Sequence, residues 1–213
     1  MNFQKHTLKI GKSWLLLLLP IFLAGCTNQT KQETQVPSPS PIVTKEPSPA
    51  PTEQAVPVNQ TVGQASTKIF DNLANRNQNL SLAIQAIDGK TLSPGEEFSF
   101  NQTVGPRTKE KGYNEAIGYD EHGDKVPTVG GGVCQISSTL YMAAKNGGFP
   151  ITERHSHSHD VPYADSNNDA TVSYGGYDFK FQNHLDMPVI IRISTDGETV
   201  AAELIQTNNI KSP

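Results

Sequence analysis

The distribution of apolar and polar residues divides this chain into three parts. The first is an apolar stretch, Trp14–Ala24, preceded by three lysines. The second, Thr27–Val62, holds seven prolines among Ser, Thr, Gln and Glu and has no apolar periodicity. The third, from Gly63 onward, contains segments with helical or strand-like apolar spacing. This order predicts a leader segment, an extended disordered tether and one folded domain.

Three segments of the domain have the spacing that is typical of helices. They are Ala65–Leu73, Leu80–Ile87 and Cys134–Asn146. In the second segment, apolar residues recur at intervals of three and four, which places them on one helical face. Gly147-Gly148 follows the third segment and is expected to end that helix.

The remaining apolar runs are short enough to be strands. Strands are predicted at Glu97–Asn101, His157–Tyr163, Ala170–Tyr174 and Tyr177–Asn183, with a terminal hairpin formed by Val189–Thr195 and Thr199–Ile205 around Asp196-Gly197. Gly105–Thr128 holds few apolar residues and is expected to be rich in loops. Helices and strands that do not alternate in a βαβ order favour a single α+β domain, with a helix packed on a mostly antiparallel sheet.

Composition narrows the possible partners. The 213 residues have a formal net charge of -4 and no basic cluster, which argues against a nucleic-acid partner. No apolar run reaches the length of about 18 residues that a transmembrane helix needs. No motif for a cofactor is evident, so we expect none.

The residues at the end of the leader resemble a bacterial lipobox. Leu23-Ala24-Gly25-Cys26 places small residues before a cysteine, directly after the basic and apolar regions. This order predicts a signal peptide at residues 1–25, a lipid on Cys26, a tether at 26–62 and a globular domain at 63–213. The protein is then expected at the extracytoplasmic face of the cell membrane, held by its lipid. The alternative is an ordinary signal peptide that happens to contain a cysteine.

If Cys26 carries lipid, Cys134 is a thiol without a disulfide partner. It follows Gly130, Gly131 and Gly132 and stands where a predicted helix begins. The N–H groups and positive dipole end of a helix stabilise a thiolate, so this position favours a reactive cysteine. The alternative is a small residue buried for packing.

A cysteine nucleophile needs a base and usually a group that orients the base. His157 and Asp169 are our candidates for these roles. The order of Cys134, His157 and Asp169 on a helix start and two strands resembles transglutaminase-like and papain-like domains. As an alternative, alternating His155, His157 and His159 form a candidate zinc or copper site.

Six further residues are candidates for contacts with a substrate. The three glycines allow a close approach of the backbone, Gln135 follows the thiol, and Arg107 and Arg154 are able to bind a carboxylate. For Gln135 and both arginines, a structural or solvated role is the alternative.

Several motifs together resemble the VanW-like family. They are Phe98-Ser99-Phe100-Asn101, Gly105-Pro106-Arg107, Gly112-Tyr113, Gly130-Gly131-Gly132-Val133-Cys134-Gln135, Glu153-Arg154, His157-Ser158, Val161-Pro162-Tyr163 and Asp169-Ala170-Thr171-Val172. The resemblance covers about Gln78–Ile205. It implies an exported, wall-associated protein.

Within that resemblance, Cys134, His157 and Asp169 fall on recurring positions of the family, whereas His155 and His159 fall on variable ones. The sequence is therefore consistent with two main functions and a third alternative. The first is a thiol-dependent acyl transferase or amide hydrolase that acts on cell-envelope peptides of the peptidoglycan type. The second is a non-catalytic binding or scaffold domain of the cell wall, and a metal-binding domain remains the third possibility.

Overall fold

The computed structural model describes residues 59–120 and 122–207. The predicted signal peptide, Cys26 and most of the predicted tether lie outside the described residues. The first strand begins at Gln60, so three residues of the segment predicted as tether belong to it. Within the described residues, the helices are too short or too polar to cross a membrane.

The largest sheet has four antiparallel strands in the order β1, β9, β8, β2. Their bounds are β1 Gln60–Lys68, β2 Thr91–Leu92, β8 Val189–Thr195 and β9 Thr199–Gln206. The terminal hairpin of β8 and β9 is the one that the sequence predicts. β1 pairs with the free edge of this hairpin along almost the whole length of β9. The N-terminal and C-terminal strands of the domain therefore lie side by side.

Two smaller sheets complete the β-structure. The strands are β3 Glu97–Ser99, β6 Ile151–Glu153 and β7 Lys180–Gln182 in one sheet, and the hairpin β4 Glu115–Tyr119 and β5 Lys125–Val129 in the other. Phe98, Phe179 and Phe181 stack around the three-stranded sheet and are fully buried. They form the aromatic part of the core.

Three α-helices pack on these sheets: α1 Ala74–Ile87, α2 Phe100–Val104 and α3 Val133–Asn146. A short 3-10 helix covers Lys109–Lys111. The longest apolar stripe belongs to α3, which packs against β1 and β9. Gly147 ends this helix, as predicted, with its N–H bonded to the carbonyl of Ala143.

α3 is buried on almost every side, including its polar side chains. Ser137 donates to the carbonyl of Ala170 at 2.6 Å, and Ser138 accepts from the N–H of Ala170 at 2.9 Å. Thr139 shares a hydrogen bond of 2.7 Å with Thr67 of β1. Buried hydroxyls are tolerated because each has a partner. The segment around Ala170 is thereby fixed directly against α3.

The α+β class is confirmed, as are α3 and the terminal hairpin. α1 contains the predicted Leu80–Ile87 and begins six residues earlier. The predicted helix Ala65–Leu73 is wrong, because Ala65–Lys68 belongs to β1 and residues 69–73 form no regular element. The inward residues of β1 include Gly63 and Thr67, so the strand has no apolar alternation that would identify it.

Other local predictions also differ from the structure. His157–Tyr163 and Ala170–Tyr174 are not strands, because their polar groups bond to side chains and loops instead of a ladder. Only the end of Tyr177–Asn183 is a strand, and Glu97–Asn101 turns into α2 after Ser99. The region predicted as loops, Gly105–Thr128, contains the β4–β5 hairpin, whose strands are too exposed to show apolar alternation.

Candidate functional site

The glycine loop before α3 is built by backbone geometry that other residues do not fit. Gly130 and Gly132 have φ values of 81° and 103°, in the left-handed region that favours glycine. A Cβ on Gly131 would lie 2.7 Å from the carbonyl carbon of Ala116 in β4. The loop therefore passes directly against β4, and it delivers Cys134 at the first turn of α3.

The Cys134 thiol is half-buried at the start of α3. Its Sγ lies 3.7 Å from Thr171 Oγ1 and 3.6 Å from the carbonyl oxygen of Val172. Burial alone would raise the pKa of the Cys134 thiol. The hydrogen bond and positive charge of the His157 imidazole, together with hydrogen bonds of the Val172 backbone and the Thr171 hydroxyl, outweigh burial and lower that pKa below its usual value. The thiolate is therefore favoured at this position.

His157 is held by a buried carboxylate. Its Nδ1 lies 2.6 Å from Asp169 Oδ2, and its backbone N–H donates to the same oxygen at 2.6 Å. Nε2 is left on the opposite edge of the ring, 3.4 Å from the Tyr163 hydroxyl. Burial opposes a charge on the ring, but the hydrogen bonds and charges of Cys134 and Asp169 raise the pKa of His157 above its usual value.

Asp169 is itself held by Arg154. The guanidinium donates from Nη2 to Asp169 Oδ1 at 2.6 Å and from Nε to the Asp169 carbonyl at 2.7 Å. Nη2 also donates to the carbonyl of Ser166. Arg154 lies behind the carboxylate and is not among the residues that line the cavity. Its observed contacts are structural, unlike the substrate contact predicted from sequence.

Gln135 also points away from the thiol. Its side chain is fully buried, accepts from Arg76 Nη2 at 2.8 Å and donates to Thr67 Oγ1 and to the Lys68 carbonyl at 3.0 Å. It ties α3 to α1 and β1. These hydrogen bonds occupy the amide group that the sequence predicted to contact substrate, and they support the helix start from behind.

A cavity of about 610 Å³ opens in front of the thiol. The three glycines, Cys134 and His157 line it, together with Arg107 from the loop after α2. Four tyrosines also line it: Tyr119, Tyr163, Tyr174 and Tyr177. A cavity of this size accommodates a short peptide segment.

The predicted catalytic residues thus meet at one place, and the other candidates divide between the cavity and its support. The glycines and Arg107 line the cavity. The lining residues that sequence reasoning missed include Arg76 on α1 and Tyr163. Arg76 lies in the polar stretch before the predicted helix Leu80–Ile87, and no local signal distinguishes it from a solvated arginine.

The alternating histidines do not converge on a metal. His155 hydrogen-bonds Glu153 and stacks on Tyr177, with ring centroids 4.5 Å apart. His159 stacks on Tyr119, with ring centroids 4.1 Å apart. Within residues 59–120 and 122–207, no group of three His, Cys, Asp or Glu side chains is placed to hold a metal ion. The three-histidine site, kept as an alternative in the sequence analysis, is not formed among these residues, because the segment is not a strand.

Comparison with known proteins places this domain in a family. A family model described as VanW like protein matches residues 75–205. The chain is 42% identical over 153 residues to the uncharacterized protein YoaR of Bacillus subtilis, an alignment that covers 72% of this chain and 50% of that protein. It is 30% identical over 142 residues to the vancomycin B-type resistance protein VanW of Enterococcus faecalis, covering 63% and 51%.

The chain therefore spans about half the length of the curated relatives that it matches. No solved structure matches it.

Proposed function

This chain belongs to the VanW-like family, and from its site we propose that the domain is a thiol enzyme that transfers or hydrolyses amide-linked acyl groups of cell-envelope peptides. One observation carries the proposal. The His157 imidazole is fixed by buried Asp169 at one edge and faces the cavity of Cys134 with the other. A thiol, a base and an orienting carboxylate are the three parts that a cysteine nucleophile requires.

The reaction begins when His157 Nε2 takes the proton of the Cys134 thiol. Sγ then attacks the carbonyl carbon of an amide, and the first turn of α3 stabilises the negative oxygen that develops. His157 returns the proton to the departing amine as the C–N bond breaks, which leaves a thioester. Water yields the acid and a second amine yields a new amide. Either reaction regenerates the thiol.

The name of one relative and the proposed location support the choice of substrate. The name of the enterococcal relative associates that protein with resistance to vancomycin. For this chain, the proposed location supports the cell envelope as the setting, with peptides of the peptidoglycan type as substrates. A cavity lined by four tyrosines and by hydrogen-bonding side chains suits the side chains and planar amide bonds of a peptide.

We also propose that Cys26 anchors the domain to the extracytoplasmic face of the membrane. The Leu23-Ala24-Gly25-Cys26 sequence supports lipidation, and the proline-rich segment after it supplies reach toward the wall. Cells fed an alkyne analogue of palmitate should incorporate it into the wild-type protein and not into Cys26→Ala. Equal labelling of both proteins, or labelling of neither, contradicts the lipid anchor.

The reactive thiol is tested by alkylation of the purified chain with iodoacetamide across a pH series. In a Cys26→Ala background, the rate reports Cys134 alone. We expect a midpoint below the usual pKa of a thiol. In His157→Gln the midpoint should rise, because burial then raises the pKa of the thiol without an opposing imidazole. His155→Gln is the matched control, since His155 lies outside the cavity lining, and it should leave the midpoint in place.

The proposal would be overturned if the alkylation midpoint equals the usual pKa of a thiol and is the same in His157→Gln. The domain would then be a binding or scaffold module of the envelope. This comparison requires that the variant retains the wild-type circular dichroism spectrum.

A further inference from the structure

Arg76 presents an unusual buried charge to the cavity. The side chain is 8% exposed, and its Nε has no hydrogen-bond partner among the described residues. Nη2 donates to Gln135, which fixes the guanidinium plane. Nη1 approaches Gly132 so closely that a Cβ there would lie 2.9 Å away. The guanidinium therefore lies directly beside the glycine that caps α3.

Arg107 lies on the other side of the same loop. Its Nη1 donates to Asn101 Oδ1 at 2.8 Å and to the Gly105 carbonyl at 3.0 Å. A Cβ on Gly130 would lie 2.9 Å from Arg107 Cβ. Gly130 and Gly132 are two residues apart, so their Cα atoms are separated by at most about 7 Å. Arg76 and Arg107 thus both line the cavity, beside the loop that leads to Cys134.

Neither arginine forms an ion pair with a described carboxylate. Asp178 interacts electrostatically with Arg107 but accepts no hydrogen bond from it among the described contacts. Its carboxylate accepts from Ser99, Asn101 and Phe179. Asp120 is the acidic residue among the described lining residues, and its Oδ1 is occupied by two backbone N–H groups of its own turn. A buried guanidinium with an unused donor is costly unless a ligand supplies the acceptor.

We propose that Arg76 and Arg107 bind the carboxylate of a peptide substrate beside Cys134. The inference rests on the proposed function and defines its substrate class: peptides with a free carboxylate next to the scissile amide, in contrast to amides in the middle of a chain. Planar guanidinium groups match a carboxylate with paired N–H donors. The tyrosines that line the same cavity accommodate the rest of the peptide.

Two alkylating reagents of nearly equal size test the charge preference directly. Iodoacetate carries a carboxylate, and iodoacetamide is its neutral counterpart. In the Cys26→Ala background, we expect the ratio of the Cys134 rate with iodoacetate to the rate with iodoacetamide to fall about tenfold in Arg107→Gln, the loss typical of one charged hydrogen bond. His157 is intact in both proteins, so its charge does not account for the difference.

Arg76→Lys keeps the buried charge but loses the paired geometry, and we expect the ratio to fall there as well. Arg192→Gln is the matched control, because Arg192 lies on β8, is half-exposed and does not line the cavity. Its ratio should equal that of the wild type. An unchanged ratio in Arg107→Gln and Arg76→Lys overturns the carboxylate subsite.

Protection of Cys134 from iodoacetamide supplies the second readout. N-acetyl-dialanine should slow the alkylation at lower concentrations than its C-terminal amide, and the difference should disappear in Arg107→Gln. Equal protection by both peptides contradicts the inference, as does stronger protection by inorganic phosphate than by the peptide acid. If Cys134 is unreactive toward iodoacetamide in every protein, the proposed function fails. If Cys134 is reactive but the ratio of the two alkylation rates is unchanged in the arginine variants, only the carboxylate subsite is contradicted.

Discussion

Asp169→Asn is expected to lower the free energy of unfolding by about 3 kcal/mol and to slow the alkylation of Cys134 at neutral pH. Each carboxylate oxygen accepts from a donor: Oδ1 from Arg154, and Oδ2 from the N–H and ring of His157. An asparagine places an N–H₂ against one of these donors and leaves Arg154 without its counter-charge. The figure is at the lower end of the range for buried pairs, because Arg154 is 22% exposed and water partly solvates it.

The loss of reactivity follows from the same contacts. Asp169 is one of the groups that raise the pKa of His157, and the His157 charge lowers the pKa of Cys134. A rise of one unit in the thiol pKa reduces the thiolate about tenfold at a pH below that pKa. Urea unfolding measures the first effect, and the iodoacetamide rate at pH 7 measures the second.

The control for Asp169→Asn is Glu115→Gln, which removes the exposed ion pair with Lys109. Exposed pairs contribute little, so both measurements should stay close to wild type. If Asp169→Asn is as stable and as reactive as this control, the buried carboxylate does not hold His157, and the proposed division of roles is wrong.

Gly131→Ala is expected to lower the free energy of unfolding by about 2–3 kcal/mol. Gly131 does not have a left-handed backbone, so the effect is steric. The added Cβ meets the backbone of Ala116, which belongs to β4 and is not able to move as the end of a side chain would. The loop and β4 must separate, and the hydrogen bond from Asn79 to the Gly131 carbonyl is strained with them.

Because this loop sets the position of Cys134, the displacement should also change the rate of alkylation by iodoacetamide. Urea unfolding and the iodoacetamide rate are again the two measurements. Gly197→Ala is the matched control: Gly197 lies in the β8–β9 turn with φ 91°, and an added Cβ there would meet nothing within 4 Å. This control should cost about 1 kcal/mol from backbone strain and leave the rate unchanged. A Gly131→Ala protein that is no less stable than Gly197→Ala contradicts the close contact with β4.

The glycine loop contacts both the segment that bears the thiol and the two arginines of the cavity. One face of it positions the thiol at the start of α3, and its flanks receive Arg76 and Arg107. Arg154 and Gln135, predicted to contact substrate, instead hold Asp169 and α3 in place. The residues around the thiol therefore form two groups. One group lines the cavity, and the other, which includes Arg154 and Gln135, holds the lining residues in position by hydrogen bonds.

Elements with a strong local pattern were predictable from the sequence. α3 has an apolar stripe and ends at two glycines, and the β8–β9 hairpin has two apolar strands around Asp196-Gly197. Only Ala65–Lys68 of β1 was predicted as helix, and the inward positions Gly63 and Thr67 gave no apolar alternation that would indicate a strand. Its identity as a strand comes from pairing with β9, more than 130 residues away along the chain.

The chemistry of the site divides in the same way. The order of residues was enough to indicate that Cys134 stands at a helix start after three glycines, and that His157 and Asp169 are its candidate partners. It did not indicate that Asp169 is clamped by Arg154, or that Arg76, 59 residues before Gln135, reaches the loop beside the thiol. Helices and tight turns are specified by neighbours in sequence. Loop hydrogen bonds and buried charges depend on groups that only the folded chain brings together, so they became visible only in the tertiary structure.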